Sequence, residues 1–344
     1  MYASIILKKI YAAVLYRTGI FSVALKRRSK YGFVILMYHR VLPSGIVEEE
    51  GIQAGMYVQP ETFERQLIFL KEHFEIQSIR QFMNHCGKER HLEKPCCLIT
   101  FDDGWYDFYQ YAFPILFKHN APATVFLPTD YIGTPKRFWT SRLAELLTQL
   151  GNVKRHKPKS VSVGPVMAIV NEIISYSGPY HSRLERAVDV LKSQSHNHIE
   201  EVLSILNGYV GGWKKEQERD FISWDEVAEI FRTDLVSFGS HTASHRILTM
   251  LSEKEIRKEL ETSMERLLKE GIVKRDLLSF CYPNGDYNDA IAAMVEGSGY
   301  KLAFTTKNGW NRVNQDLFKL KRIGIHEDMT NSPDMFACML VGLL

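Results

Sequence analysis

Short apolar runs rich in β-branched residues alternate with helical patterns along most of this chain, and that alternation narrows the fold more than any other feature. Phe33-Val34-Ile35-Leu36-Met37 reads as a strand. Pro60 to Phe74 reads as a helix, because Phe63, Leu67, Leu70 and Phe74 recur on one face. Cys97 to Phe101 and Thr124 to Leu127 are further strands, with a helical stretch from Tyr111 to His119 between them. Val236 to Phe238, Leu278 to Cys281, Leu302 to Phe304 and Leu320 to Ile325 complete the set. Two capping boxes, Ser223 with Glu226 and Ser252 with Glu255, each start a helix. The second helix carries Ile256, Leu260, Met264 and Leu267 on its buried face, and Gly271 ends it. Strands alternating with helices imply parallel pairing through crossover connections. About seven such units predict an α/β fold of the irregular (β/α)7-type barrel class, with functional residues where strands end and loops begin.

Residues 136–220 interrupt the rhythm. Phe138-Trp139 and a helical stretch through Leu143, Leu146 and Leu147 open the segment. A Lys/Pro/Ser-rich stretch follows, then helical pattern around Leu184 to Leu191 and Val202 to Leu206. The expectation is a mainly helical insertion in a barrel that spans residues 31–344. Such an insertion can cover the site or bind a partner.

Residues 1–30 carry Lys8, Lys9, Arg17, Lys26, Arg27, Arg28 and Lys30 and no acid. They predict a basic N-terminal helix, either packed on the domain with its charges in water or in peripheral contact with an anionic membrane face. Lys8, Lys9 and Arg17 break the apolar runs, so neither a signal peptide nor a span of ~20 apolar residues is expected. The net charge is +3 over 344 residues, without aromatic-basic interleaving, which argues against a nucleic-acid partner. The five cysteines form neither a paired zinc spacing nor a disulfide framework. Reduced thiols fit a cytoplasmic protein, possible contact with the inner membrane face included.

Two segments carry the chemistry. Thr100-Phe101-Asp102-Asp103-Gly104 ends an apolar run in two carboxylates and a glycine that permits a sharp turn. His241-Thr242-Ala243-Ser244-His245 places two imidazoles four residues apart, on one face if the loop enters a helix. Two histidines and one carboxylate suit a borderline divalent metal and leave positions open for water and substrate. The second carboxylate is then available as a base. The set points to metal-assisted hydrolysis.

Thr100–Gly104 and His241–His245 resemble the first two motifs of the polysaccharide deacetylase family, also described as the NodB-homology domain or carbohydrate esterase family 4. Val34 to Val41 is similar to the opening strand of many bacterial members, and Phe221-Ile222-Ser223-Trp224 to the segment leading into their histidine motif. The resemblance runs from about Ile35 to Ile325, most of the insertion excluded. It implies an irregular barrel and removal of N-acetyl groups from amino sugars of a polysaccharide, an oligosaccharide or a lipid-linked glycan precursor. It implies Asp102 as general base, and Asp103, His241 and His245 as metal ligands. Zinc is the default metal for that set, with cobalt, nickel and manganese compatible. His326, ending an apolar strand, matches the position of the general acid. His39 is the alternative as acid, substrate ligand or supporting partner. Tyr282 and Asn284 fall at the oxyanion and substrate segment, and Trp310 at the acyl pocket.

The chain departs from that family pattern where an arginine usually orients the base. Cys281 stands there, and Arg322 is the candidate substitute. Without a secretion signal, a nucleotide-linked or lipid-linked sugar is the expected substrate. Two alternatives remain. One is deformylation or hydrolysis of another C–N bond by the same apparatus, and the other is a barrel that has lost catalysis and binds glycans.

Overall fold

A computed structural model describes residues 2–30, 32–50, 52–85, 94–152, 164–211 and 219–344. The Lys/Pro/Ser-rich stretch and Cys86 lie outside the described residues. Among the described residues eleven strands form in chain order: β1 (Gly32–Tyr38), β2 (Arg40–Val41), β3 (Tyr57–Val58), β4 (Glu75–Ile76), β5 (Cys96–Phe101), β6 (Ala123–Leu127), β7 (Val236–Ser240), β8 (Ser279–Cys281), β9 (Leu302–Phe304), β10 (Asn311–Arg312) and β11 (Ile323–Gly324). The main sheet runs β10-β1-β5-β6-β7-β8-β9, with β11 added to β1 and β4 to β5. Every pairing in it is parallel except β1 with β10.

The sheet curls towards a barrel. Leu320 bridges Phe304 in parallel, and Ile323 pairs with Leu36 three residues later. One short segment therefore links the β9 edge back to β1. Alternate residues of the central strands, among them Phe33, Ile35, Cys96, Leu98, Phe126, Cys281 and Phe304, share one apolar core. A buried Phe or Leu contributes roughly 1.5–3 kcal/mol, so this cluster fixes the strand register. The fold is the mixed α/β, (β/α)7-type barrel that the alternation implies.

The chain divides into two compact units, residues 1–44, 54–134 and 221–344 in one and 45–53 with 135–220 in the other. In the second, helices Trp139–Asn152, Pro165–Ser175, Tyr180–Lys192 and His196–Val210 bury Leu146, Val170, Leu184, Leu191, Val202 and Leu206 in a core of their own. Ser195 caps the last of them, and Gly211 ends it at φ 78°.

Residues 2–30 form two helices rather than one, α1 (Tyr2–Arg17) and α2 (Ile20–Ser29). Gly19, at φ 78°, breaks the run, because a left-handed residue cannot continue a right-handed helix. No helix of the described residues is long and apolar enough to cross a membrane. The described cysteines, Cys96, Cys97, Cys281 and Cys338, are buried.

Candidate active site

The parallel strands bring their C-terminal ends together, and β5 delivers both carboxylates there. β5 is buried along its whole length. Successive strand residues normally face opposite sides. Here the strand ends, and the chain turns through Asp103 at φ 74° and Gly104 at φ 64°. A Cβ at Gly104 would stand 2.6 Å from Leu127 Cδ2, so the tight approach requires glycine. The turn keeps Asp102 and Asp103 together, and the charges of His241 and His39 act on both.

Asp102 is 3% exposed and fully partnered. Arg322 Nη1 donates to its Oδ1 and Nη2 to its Oδ2, both at 2.7 Å. The remaining guanidinium hydrogens go to Thr305 O at 2.9 Å, Thr100 Oγ1 at 3.1 Å and Cys281 Sγ at 3.1 Å. All five guanidinium donors are thus used. Burial acts to raise the Asp102 pKa, but the Arg322 charge and hydrogen bonds outweigh it and hold the carboxyl below its ordinary range. The position aligned with the family arginine is Cys281, whose thiol contacts Asp102 Oδ2 at 3.5 Å. The guanidinium arrives instead from beside β11.

Asp103 has a different setting. Its Oδ2 accepts from Trp105 Nε1 at 2.9 Å. Its Oδ1 is buried and accepts no hydrogen bond of good geometry. That oxygen faces His245 Nε2 at 3.1 Å and His241 Nε2 at 3.5 Å. Burial opposes its ionisation, but His245, His39 and His241 together hold the carboxyl well below the usual range.

β7 leads into the histidines, but the loop between them is not helical. Thr242 at φ 64° and His245 at φ 58° fold it into a tight curve instead. The rings meet edge-on with centroids 4.8 Å apart. Two left-handed non-glycine residues are costly, at roughly 1–3 kcal/mol each, and persist only where surroundings hold them. Thr242 Oγ1 accepts from His245 N at 2.9 Å. Glu259 accepts from Ala243 N at 3.0 Å, Ser244 N at 2.8 Å and Ser244 Oγ at 2.5 Å.

His241 Nδ1 lies 2.8 Å from Cys281 O. A carbonyl can only accept, so Nδ1 carries the proton and Nε2 presents its lone pair. Burial, then repulsion from His245, lowers the His241 pKa to about 4. The ring is neutral at neutral pH, as metal ligation requires.

The ligand atoms of Asp103, His241 and His245 lie within 4.8 Å of one another. A buried carboxylate oxygen facing the Nε2 atoms of two imidazoles fits a divalent cation. Asp102, His241 and Cys281 form a second close group. There the Arg322 guanidinium already occupies both Asp102 oxygens and the thiol, so a further cation is disfavoured.

The other expected site residues divide. His39 follows β1, is half-buried, and acts on both aspartates. Asn284 is exposed, holds φ 58° and donates from Nδ2 to Asp286 at 2.6 Å. The Tyr282 hydroxyl donates to Phe318 O at 3.1 Å and its ring stacks on Tyr287, so the phenol is turned to that contact. His326 follows β11, its Nδ1 paired with Asp328, and Ile325 N bonds Met37 O on β1. Trp310 is not brought to the carboxylates. It bonds Leu340 O and precedes Asn311, which pairs with Phe33 near the start of β1. Asp102 N bonds Tyr38 O at the other end of that strand, roughly 16 Å away at ~3.3 Å per residue.

Sequence reading missed two contributors. Trp105, stacked on Phe221 at 5.0 Å and beneath Arg40 at 4.6 Å, steadies the second Asp103 oxygen. Glu259 had a visible signal: a carboxylate between Ile256 and Leu260 on the buried face of its helix.

A family model described as polysaccharide deacetylase matches residues 89–156 and 177–303, which include Asp102, Asp103, His241, His245 and Cys281. YxkH of Bacillus subtilis (strain 168), whose description names a polysaccharide deacetylase, is 21% identical over 299 residues, covering 87% of this chain and 73% of that protein. The Streptococcus pyogenes deacetylase PplD, solved with acetate, superposes with TM-score 0.58 at 20% identity, covering 90% of this chain and 98% of that one. IcaB from Ammonifex degensii superposes with TM-score 0.55 at 19% identity, covering 89% and 97%. These structural likenesses are likenesses of fold.

Proposed function

Because the chain belongs to the polysaccharide deacetylase family, and is thus a carbohydrate N-deacetylase, we propose that it removes N-acetyl groups from amino sugars by metal-dependent hydrolysis at Asp102, Asp103, His241 and His245. The observation that carries this reading is the contrast within the aspartate pair. Asp103 Oδ1 is buried, lacks a well-formed hydrogen bond and faces two imidazole nitrogens, while Asp102 is locked by a guanidinium.

Asp103, His241 and His245 would hold the metal. Zinc, or cobalt, nickel or manganese on the same ligands, would polarise the amide carbonyl and lower the pKa of the attacking water. Asp102 takes the proton from that water, and Arg322 keeps the carboxylate ionised and aimed. The backbone N–H of Asn284 supports the developing oxyanion. His326 donates to the leaving amine. Its Nδ1 is taken up by Asp328, which leaves Nε2 for that proton. His39, whose charge reaches both aspartates, is the second candidate for that proton. The acceptor sugar is lipid-linked or nucleotide-linked, and the basic, acid-free residues 1–30 support the lipid-linked alternative.

The test is a release assay on metal-loaded enzyme over N-acetyl and N-formyl amino sugars, each free, nucleotide-linked and lipid-linked. Acetate release by wild type and none by Asp102→Asn is expected. Formate release alone would replace deacetylation by deformylation. No release from any substrate, with glycan binding retained, would make the barrel a binding module. In the same assay His326→Ala should lower kcat by roughly 10²-fold or more, and His39→Ala by less. The reverse order would move the acid to His39.

A further inference from the structure

Seven of the eleven large apolar side chains left exposed among the described residues fall between Ile6 and Val23. On α1, Ile6, Leu7, Ile10, Tyr11 and Val14 share one arc, about 140° wide at 100° per residue. Ala12 and Leu15 lie outside that arc and pack with Met335 and Cys338. On α2, Phe21 is buried against Tyr16 and Phe69, while Ile20 and Val23 stand in water. Each helix is thus fixed to the fold by one side and bare on another. Val23 is 70% exposed and Leu7 66%, more than any other large apolar side chain described.

The charges select the occupant. Lys8, Lys9, Arg17, Lys26, Arg27, Arg28 and Lys30 are all exposed, and residues 1–30 contain no acid. A second copy of this chain seated on the patch would face cations with cations. An anionic surface with an apolar interior complements both properties at once. At 16 residues and with two lysines inside, α1 cannot cross a bilayer. We propose that α1 and α2 are an interfacial anchor: the apolar arc enters the acyl boundary of an anionic bilayer, and the lysines and arginines contact its headgroups. This deepens the lipid-linked reading above, but vesicle binding needs no catalysis, so either proposal can fail without the other.

The experiment is co-sedimentation of the full chain with phosphatidylcholine vesicles, with and without phosphatidylglycerol, at low and high salt. Binding about tenfold or more tighter to the anionic vesicles, and weakened by salt, is expected. Leu7→Ser/Ile10→Ser/Val14→Ser should lower binding about tenfold or more at an unchanged Tm. Lys8→Glu/Lys9→Glu should remove most of the anionic preference. Acetate release from a soluble amino sugar should be unchanged in both variants. Equal binding by wild type and the triple variant, or no vesicle binding, would overturn the proposal. So would a dimer in light scattering that the triple variant abolishes, which would give the face to a second copy.

Discussion

Asp102 and Asp103 are neighbours in sequence and almost equally buried, yet their surroundings are opposite. Around Asp102 every polar group is matched: five guanidinium donors meet five acceptors, two of them the carboxylate oxygens. Around Asp103 one oxygen is fixed by Trp105 and the other faces the Nε2 atoms of His241 and His245. A buried anion is tolerable only with compensating positive charge. For Asp102 the protein supplies that charge itself. For Asp103 a bound cation would supply it under the proposed function. On that reading identical side chains take the two roles that hydrolysis needs, a base and a ligand.

The strongest way to break this contrast is to remove each carboxylate in turn. Asp103→Asn should lower kcat/KM on the order of a thousandfold or more, because the metal contributes several kcal/mol at the transition state. Metal content by mass spectrometry should fall with it, and the Tm of the metal-free protein should hold, since an unsatisfied buried anion has been removed. Asp102→Asn should cost roughly 10²–10⁴-fold in kcat while metal content stays at the wild-type level. If both variants lost metal equally, the division of labour would be wrong.

Arg322 sharpens the comparison through stability and pH. Arg322→Gln leaves Asp102 buried without its ion partner, a change worth about 3–5 kcal/mol. In wild type the folded Asp102 pKa is depressed. Its contribution is therefore present above the ordinary carboxylate pKa and is lost as pH falls through the lower folded value. In the variant, burial acts with less opposition and the folded pKa moves up, so protonation at low pH relieves the buried charge. The gap in Tm between wild type and variant should narrow as pH falls towards 4, and the acid limb of kcat/KM should move to higher pH. A gap that widens on acidification would show that Arg322 does not hold Asp102 ionised.

How much of this was legible follows the same line of local against distant contacts. Strands such as β1, β5 and β6 are continuous apolar runs buried on both faces, a signature carried by the residues themselves. β2, β3, β4 and β10 have two residues each, too few for any period, and exist because tertiary packing sets neighbours beside them. The aspartate and histidine segments were readable because their chemistry is dense within five residues. The loop from His241 to His245 does not enter a helix, and a spacing of four does not by itself specify how the rings meet. Two left-handed residues solve it here. Arg322 could be named as a substitute from its strand position, but its contact with Cys281, 41 residues upstream, depends on the sheet bringing β8 and β11 around one carboxylate.

Glu259 offers the smallest and most selective test, because it touches the metal side alone. Its Oε2 accepts from two successive backbone N–H groups of the histidine loop, and its Oε1 from Ser244. Glu259→Gln keeps the length of the side chain but weakens charge-assisted acceptance and places an amide donor where two donors already converge. The loop should relax, and the left-handed geometry of Thr242 and His245 with it. Metal Kd by calorimetry should weaken about tenfold, the size of effect seen when groups that orient metal ligands are changed. The acid limb set by Asp102 should stay in place, because Arg322 and Asp102 are untouched, and saturating metal should restore most of kcat. A fall in kcat that excess metal does not rescue, with wild-type metal affinity, would mean that Glu259 does not act through the histidine loop.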